Sequence, residues 1–233
     1  MSSPETTTDQ SGSNKQQRRR RRHHFILVHG VCHGAWCWYR VTTALSSAGH
    51  RVTALDMAAC GARPGRADEV PSFERYTAPL LDAVADQDGE EKAVVVAHSF
   101  GGQSLALAME RHPEKIAVAV FVTATMPAAG KSMSFAFKQD LALAMSTVRP
   151  SRRFLNDATM NGDVLTEGRY GTVRRVYVVA EEDEWKPAEI QRLMVSWNPG
   201  TEVRALQGAD HMPMFSKARE LSELLMEIAN KYS

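Results

Sequence analysis

A serine at a predicted strand-to-helix turn is the strongest candidate for chemistry in this chain. Ser99 lies in the pentapeptide AHSFG at positions 97–101, between the apolar run 93–96 and a stretch of helical composition. A turn from strand to helix lifts a serine hydroxyl clear of the sheet, beside the N–H groups that begin the helix. Such turns usually begin with glycine, and this one begins with Ala97. The pattern predicts a nucleophilic serine on a turn that carries one extra methyl group.

A serine nucleophile needs a general base and an acid that orients the base. In the fold that uses this kind of turn, the acid follows the serine along the chain and the base comes last. His211, five residues after the last predicted strand, is the candidate base. The acid should follow the fifth strand, where spacing alone leaves Asp183 and Glu182 as close alternatives. His98 precedes the serine, and we expect it to point away from the site.

The loop at positions 29–34 (HGVCHG) is the candidate for binding a developing oxyanion. Its two glycines allow the backbone to turn inward after the first strand. An oxyanion hole in this fold combines one N–H of this loop with the N–H of the residue after the nucleophile. We therefore expect the amides of Val31 and Phe100 to donate to the oxyanion.

Short apolar runs alternate with helical segments through most of the chain. The predicted strands cover residues 25–28, 52–55, 93–96, 116–122, 175–179 and 203–206. The predicted helices cover residues 38–48, 73–84, 102–111, 189–197 and 217–231. Strands that are apolar throughout, separated by helices, are typical of a parallel sheet with helices on both faces. We therefore predict an α/β fold with a mostly parallel sheet of about six strands.

The interval from about 126 to 171 interrupts this alternation. It contains prolines, glycines and a polar stretch, with a helical piece near 140–146. We interpret it as an excursion off the sheet that forms a lid.

The length of 233 residues, of which 43% are hydrophobic, suits one domain with a proper core. We assign residues 24–233 to this domain and residues 1–23 to a polar, basic tail that is expected to be disordered. Among the histidines, His23 and His24 are attributed to the tail. The run Arg18–Arg22 is interpreted as a solvated part of the tail rather than a nucleic-acid patch.

Composition also restricts the compartment and the cofactors. No apolar run is long enough to span a bilayer. The three cysteines, an odd number without a secretory signal, are expected to be free thiols in a reducing compartment. No four-ligand zinc set stands near Cys32 and Cys37. We expect a cytoplasmic protein without metal or organic cofactor, and targeting to the nucleus or plastid by the tail stays open.

Several segments resemble the plant methylesterase family. Residues 24–36 (HFILVHGVCHGAW), 54–58 (ALDMA), 208–212 (GADHM) and 227–232 (EIANKY) carry the resemblance. That family includes methyl salicylate esterases, methyl jasmonate esterases, polyneuridine aldehyde esterase and the α-hydroxynitrile lyases. The resemblance covers nearly everything from residue 24 to residue 232.

The resemblance implies an α/β-hydrolase fold in which Ser99 is the nucleophile and His211 the base. It favours Asp183 over Glu182 as the acid, since the pair falls on the family's Glu-Asp pair. It also implies a small-molecule ester as the partner, no membrane or nucleic-acid partner, and a homodimer as one state of the protein.

Two positions separate esterases from lyases in this family, and we assign both to substrate binding. Lyases that resemble it carry threonine where Gly30 stands and lysine where Met212 stands. Because Gly30 and Met212 supply neither group, the expected activity is hydrolysis of methyl esters of small plant hormones. The candidates are methyl salicylate, methyl jasmonate and methyl indole-3-acetate, and hydroxynitrile lyase activity is the less favoured alternative.

The predicted lid is shorter than in the family, with several dozen residues absent between Gln139 and Asp140. A lid supplies apolar pocket and excludes water, so its loss weakens substrate positioning. We therefore expect a slow, unselective esterase or a folded protein with little activity. The alternative is a hormone-binding protein of the same fold that turns over poorly.

Overall fold

The structure is a computed structural model that describes residues 21–87, 91–135 and 154–233. The tail up to residue 20 lies outside the described residues. So do the helical piece expected near 140–146 and the junction between Gln139 and Asp140, where the lid is expected to be short. Within the described part of the chain, no helix is both long and apolar enough to cross a bilayer.

Six parallel strands form one sheet in the order β2-β1-β3-β4-β5-β6. The strands are β1 His24–Val28, β2 Arg51–Leu55, β3 Ala93–His98, β4 Ile116–Val122, β5 Arg175–Ala180 and β6 Glu202–Leu206. The predicted six-stranded parallel sheet is confirmed. The strands extend up to two residues beyond the predicted ones because flanking polar residues pair as well: His98 pairs with Val122.

Seven α-helices lie within the described residues. They are α1 Tyr39–Ser47, α2 Phe73–Ala85, α3 Gly101–Arg111, α4 Ala158–Asn161, α5 Ala188–Ser196, α6 Pro213–Ser216 and α7 Ala218–Tyr232. The helix predicted at 38–48 is observed as α1, and its first predicted residue, Trp38, instead ends a 3-10 turn that covers Ala35–Trp38. Helix α2 begins where expected, with the Ser72 hydroxyl accepting from the Arg75 N–H.

The core consists of two apolar layers, one on each face of the sheet. Alternate residues of β3 serve the two layers: Val95 belongs to one, and Val94 and Val96 to the other. Helices α2, α3 and α5 cover the first face, while α1 and α7 cover the second. Because both faces are buried, the strand is apolar throughout, as the sequence indicates.

The attribution of His23 and His24 to the tail is wrong. His24 is the first residue of β1, and its ring contacts Gln87 Oε1 at 2.6 Å and Thr53 Oγ1 at 2.9 Å. His23 is buried as well, with Nε2 3.1 Å from Asn230 Oδ1. Hydrogen-bond partners for the ring nitrogens offset the cost of burying these polar side chains.

The described ends of the 126–171 interval are packed on the domain. Glu110 of α3 accepts hydrogen bonds from the Thr166 N–H at 2.8 Å and the Tyr170 N–H at 3.1 Å. Phe154 lies edge-on to Phe73 of α2, with ring centroids 5.8 Å apart. These contacts fix the returning chain beside α2 and α3, next to the turn that carries the serine.

Candidate active site

Ser99 lies between β3 and α3 in a left-handed backbone conformation, with φ of +52°. This conformation is uncommon for a residue other than glycine and marks a sharp turn. The following helix passes so close to the sheet that a Cβ on Gly102 would lie 2.1 Å from the Thr125 carbonyl oxygen. Ala97, in contrast, is fully buried in the core, so the extra methyl group has a place within the packing.

His211 links the serine to an acid. Its Nε2 lies 3.1 Å from Ser99 Oγ, and its Nδ1 lies 2.7 Å from Asp183 Oδ2. The carboxylate can only accept, so Nδ1 carries the hydrogen and Nε2 is left to accept from the serine hydroxyl. The structure therefore brings the three predicted residues together in the order that general-base activation of a serine needs.

Asp183, not Glu182, is the carboxylate that contacts the His211 ring. The Asp183 side chain is fully buried, whereas Glu182 is exposed. Besides His211, the Asp183 carboxylate accepts from the Thr123 hydroxyl at 2.5 Å and from the Lys186 N–H at 2.8 Å. Burial on its own would raise the pKa of Asp183, but the hydrogen bonds from His211, Thr123 and Lys186 hold that pKa below its usual value.

The loop after β1 presents the Val31 amide next to the serine turn. The Nδ1–H of His29 donates to the Gly30 carbonyl at 2.7 Å, and His29 Nε2 accepts from the Met57 N–H at 3.1 Å. The Gly30 carbonyl and the Val31 N–H belong to one trans peptide and point in opposite directions. His29 therefore fixes the direction of the Val31 N–H, which donates no hydrogen bond within the described part of the chain.

Phe100 is the N-cap residue of helix α3, directly before Gly101, so its amide lies at the helix N-terminus. Amides at a helix N-terminus favour negative charge. The structure thus places both expected oxyanion donors, Val31 and Phe100, beside Ser99.

Residues 25–167 match the family described as "Alpha/beta hydrolase family". This chain belongs to that family. Esterase PIR7B of Oryza sativa subsp. japonica is 47% identical, with 89% of this chain and 96% of the rice protein covered. Methyl jasmonate esterase 1 of Vitis vinifera is 41% identical, with 90% and 97% covered.

Solved structures agree with this assignment. The crystal structure of polyneuridine aldehyde esterase is 36% identical, with a TM-score of 0.81, and the match covers 89% of this chain and 99% of that one. The hydrolase therefore stands among the plant esterases and methylesterases. Its alignment with the rice esterase spans 257 residues, more than the 233 residues of this whole chain, so the relative has residues without a counterpart here.

An apolar cavity that is partly open to solvent adjoins the loop at positions 29–34. The described residues that line it carry no charge. They are Val31, Cys32, Ala58, Cys60, Ala67, Val70, Tyr76, Phe100 and Phe154. Both expected oxyanion donors, Val31 and Phe100, belong to this lining.

Gly30 and Met212 are not among the described residues that line this cavity. Met212 packs against the apolar layer on the other face of the sheet. A Cβ on Gly30 would lie 2.9 Å from Ser99 Cβ and 3.0 Å from His98 Nδ1. The glycine therefore leaves room for the serine turn, and its assignment to substrate binding stays a prediction.

The expectation that His98 points away from the site is wrong. Its ring lies 5.0 Å from the ring of His211, and its Nε2 is 2.7 Å from the His211 carbonyl oxygen. The reason is that β3 continues through His98, whose side chain then faces the loop carrying the base.

Sequence reasoning also missed His29 and Thr123. Each stands directly after a predicted strand, at the edge of the sheet where the nucleophile lies. Polar residues at the carboxyl ends of parallel strands tend to converge at one site. Their placement directly after a predicted strand was the sequence signal from which both residues could have been identified.

Proposed function

We propose that this methylesterase-like hydrolase is a serine carboxylic-ester hydrolase in which Ser99, His211 and Asp183 form the catalytic triad. The proposed substrates are methyl esters of small plant hormones: methyl salicylate, methyl jasmonate and methyl indole-3-acetate. One observation carries the proposal, the continuous hydrogen-bond chain from Ser99 Oγ through the His211 ring to the buried Asp183 carboxylate.

Acylation begins when His211 Nε2 takes the proton of Ser99 as Oγ attacks the ester carbonyl carbon. The resulting imidazolium is stabilised by the Asp183 carboxylate, whose lowered pKa keeps it charged near neutral pH. The negative charge that develops on the carbonyl oxygen is bound by the amides of Val31 and Phe100. Amides held in place before the reaction stabilise this charge without reorganisation.

The tetrahedral intermediate then collapses, and the acyl C–O bond breaks. His211 Nε2–H protonates the departing methoxide, which leaves as methanol, and the acyl group stays on Ser99 Oγ. A water molecule, deprotonated by His211, attacks the acyl carbon in the second half of the reaction. The carboxylic acid leaves, and the serine recovers its proton.

The cavity beside the loop at positions 29–34 matches the acyl part of these esters in polarity. Its described lining is apolar and uncharged, so it favours a neutral ring or alkyl group.

The names of several relatives support this substrate class. A methyl jasmonate esterase is 41% identical, and a protein named salicylic acid-binding protein 2, from Nicotiana tabacum, is 37% identical over 90% of this chain. We therefore propose methyl jasmonate and methyl salicylate as candidate substrates of this chain.

A second candidate is a hormone-binding protein that retains the site but turns over poorly. The lid that the sequence predicts to be short favours this possibility, because a reduced lid positions substrate less well. Both candidates predict recognition of the hormone acids, and they differ in turnover.

The test is side-by-side hydrolysis of the three methyl esters and p-nitrophenyl acetate by the wild type and by Ser99→Ala. We expect hydrolysis of at least one methyl ester by the wild type and none above background by the variant. Calorimetry with the free acids completes the experiment. Binding of the acids without hydrolysis of any ester by the wild type would select the binding protein and contradict the esterase.

A further inference from the structure

Trp185 is an exposed aromatic side chain next to the base of the proposed triad. The side chain is 60% exposed, and its ring centroid lies 6.5 Å from that of His211 with an angle of 31° between the planes. Single exposed tryptophans are common on protein surfaces and need no explanation by themselves. Trp185, however, lies beside the imidazole that would protonate the leaving group, so it can contact the alcohol part of a substrate.

The backbone under Trp185 is held in place by the site itself. The Trp185 N–H donates to Asp183 Oδ1 at 2.8 Å, as does the N–H of Lys186. The Lys186 side chain is buried, and its Nζ donates to Thr125 Oγ1 at 3.2 Å. Gln191 Nε2 donates to the Lys186 carbonyl at 2.7 Å. The ring therefore projects from an ordered turn, so little backbone entropy is lost if a ligand contacts it.

The proposed mechanism assigns the two halves of an ester to different sides of Ser99. The acyl half lies toward the cavity, whose described lining includes Val31 and Phe100 but no residue of the loops 181–187 and 207–212. The alcohol half lies beside His211, because Nε2–H must reach the departing alkoxide oxygen. Trp185 lies next to the His211 ring, so its indole can reach a group bound on that second side.

We propose that Trp185 is a specificity-determining residue of an open alcohol subsite, which accepts esters with an aromatic alcohol group such as benzyl. The inference rests on the proposed function. The acyl C–O bond breaks as before, water supplies hydroxyl to the acyl group and hydrogen to the alkoxide, and benzyl alcohol leaves in place of methanol. An indole face offers such a ring a stacking surface of low entropic cost.

The experiment compares benzyl acetate with methyl acetate, which share one acyl group. The kcat/KM values for both esters are measured for the wild type, Trp185→Ala and Trp185→Phe. The matched control is Leu193→Ala, which removes a 42% exposed apolar side chain from helix α5. The backbone N–H of residue 185 remains in every variant, so the hydrogen bond to Asp183 is kept.

We expect the ratio of kcat/KM for benzyl over methyl acetate to fall about 3- to 10-fold in Trp185→Ala, the range of one aromatic contact. The ratio should stay near the wild-type value in Trp185→Phe and in Leu193→Ala. An unchanged ratio in Trp185→Ala, or an equal fall in Leu193→Ala, would overturn the inference.

Ser99→Ala separates this outcome from failure of the proposed function. If the wild type hydrolyses methyl acetate and Ser99→Ala does not, an unchanged ratio in Trp185→Ala rejects the alcohol subsite alone. If the wild type hydrolyses a hormone methyl ester but neither acetate ester, the inference alone fails. If the wild type hydrolyses neither acetate ester and none of the three hormone methyl esters, or if Ser99→Ala hydrolyses them at the wild-type rate, the proposed function fails and the inference fails with it.

Discussion

His98 holds the main chain of His211: its Nε2–H donates a 2.7 Å hydrogen bond to the His211 carbonyl oxygen. The residue before the nucleophile thus fixes the loop that carries the base. His98 is fully buried, and burial lowers its pKa well below the usual value, an effect to which the nearby His211 adds. A neutral ring with its hydrogen on Nε2 fits this contact. The other nitrogen, Nδ1, is buried without a partner among the described residues.

We predict that His98→Phe lowers kcat for ester hydrolysis about 10- to 100-fold with little change in KM, because a small displacement of the base costs that much. His98→Gln, whose amide N–H can reach the same carbonyl, should recover part of the loss. Steady-state kinetics on p-nitrophenyl acetate provides the measurement. Equal losses in the two variants would mean that His98 acts through packing and not through its hydrogen bond.

Thr123→Val tests the hydrogen bond that the Thr123 hydroxyl donates to Asp183. Because its folded-state pKa lies below the usual value, the Asp183 carboxylate stabilises the fold at pH values above the ordinary pKa of a carboxyl group. This contribution to stability is lost as the pH falls through the folded-state pKa of Asp183. The variant should raise the pKa of Asp183. It should lower the free energy of unfolding at pH 7 by ~1.5–3 kcal/mol, the value of a hydrogen bond to a charged group.

Urea unfolding at pH 7 and at a pH below the ordinary pKa of a carboxyl group measures this effect. The difference between wild type and Thr123→Val should shrink at the acidic pH. Thr172→Val, which removes an exposed hydroxyl, is the control and should show little difference at either pH. A difference that is the same at both pH values would show that the hydroxyl does not stabilise the charged carboxylate.

Gly30→Thr should damage the esterase without creating a hydroxynitrile lyase. A Cβ at this position would lie 2.9 Å from Ser99 Cβ, so the serine turn must shift to admit it. We expect kcat/KM for ester hydrolysis to fall at least about 10-fold, and no release of cyanide from mandelonitrile. Gly168→Thr is the control, because a Cβ there meets nothing within 4 Å. Efficient cyanide release by the wild type or by Gly30→Thr would contradict the esterase assignment.

Chain order and strand ends were enough to predict the central constellation. Ser99, Asp183 and His211 each follow a strand of a parallel sheet, and such strands end at one edge. Spacing alone could not decide between Asp183 and Glu182 as the acid. It depends on which side chain turns inward after β5, and the structure shows Asp183 buried and Glu182 exposed.

The contacts around the constellation could not be predicted, for a physical reason. Whether His98 or Thr123 reaches the base or the acid depends on how neighbouring strands and loops approach each other in space. Sequence periodicity indicates which face of a strand is buried, but it does not indicate which residues meet beyond the end of the strand. The same limit produced the error at His24, whose polar ring is buried because Gln87 and Thr53 happen to lie within reach.

Covalent trapping of the nucleophile tests the central claim most directly. The protein is mixed with p-nitrophenyl acetate, quenched in acid and digested, and the acetylated peptide is located by mass spectrometry. We predict acetylation of Ser99 in the wild type and no such adduct in Ser99→Ala, whose turnover should be lower by at least about 10³-fold. Acetylation at another residue, or wild-type turnover by Ser99→Ala, would contradict the assignment of Ser99 as the nucleophile.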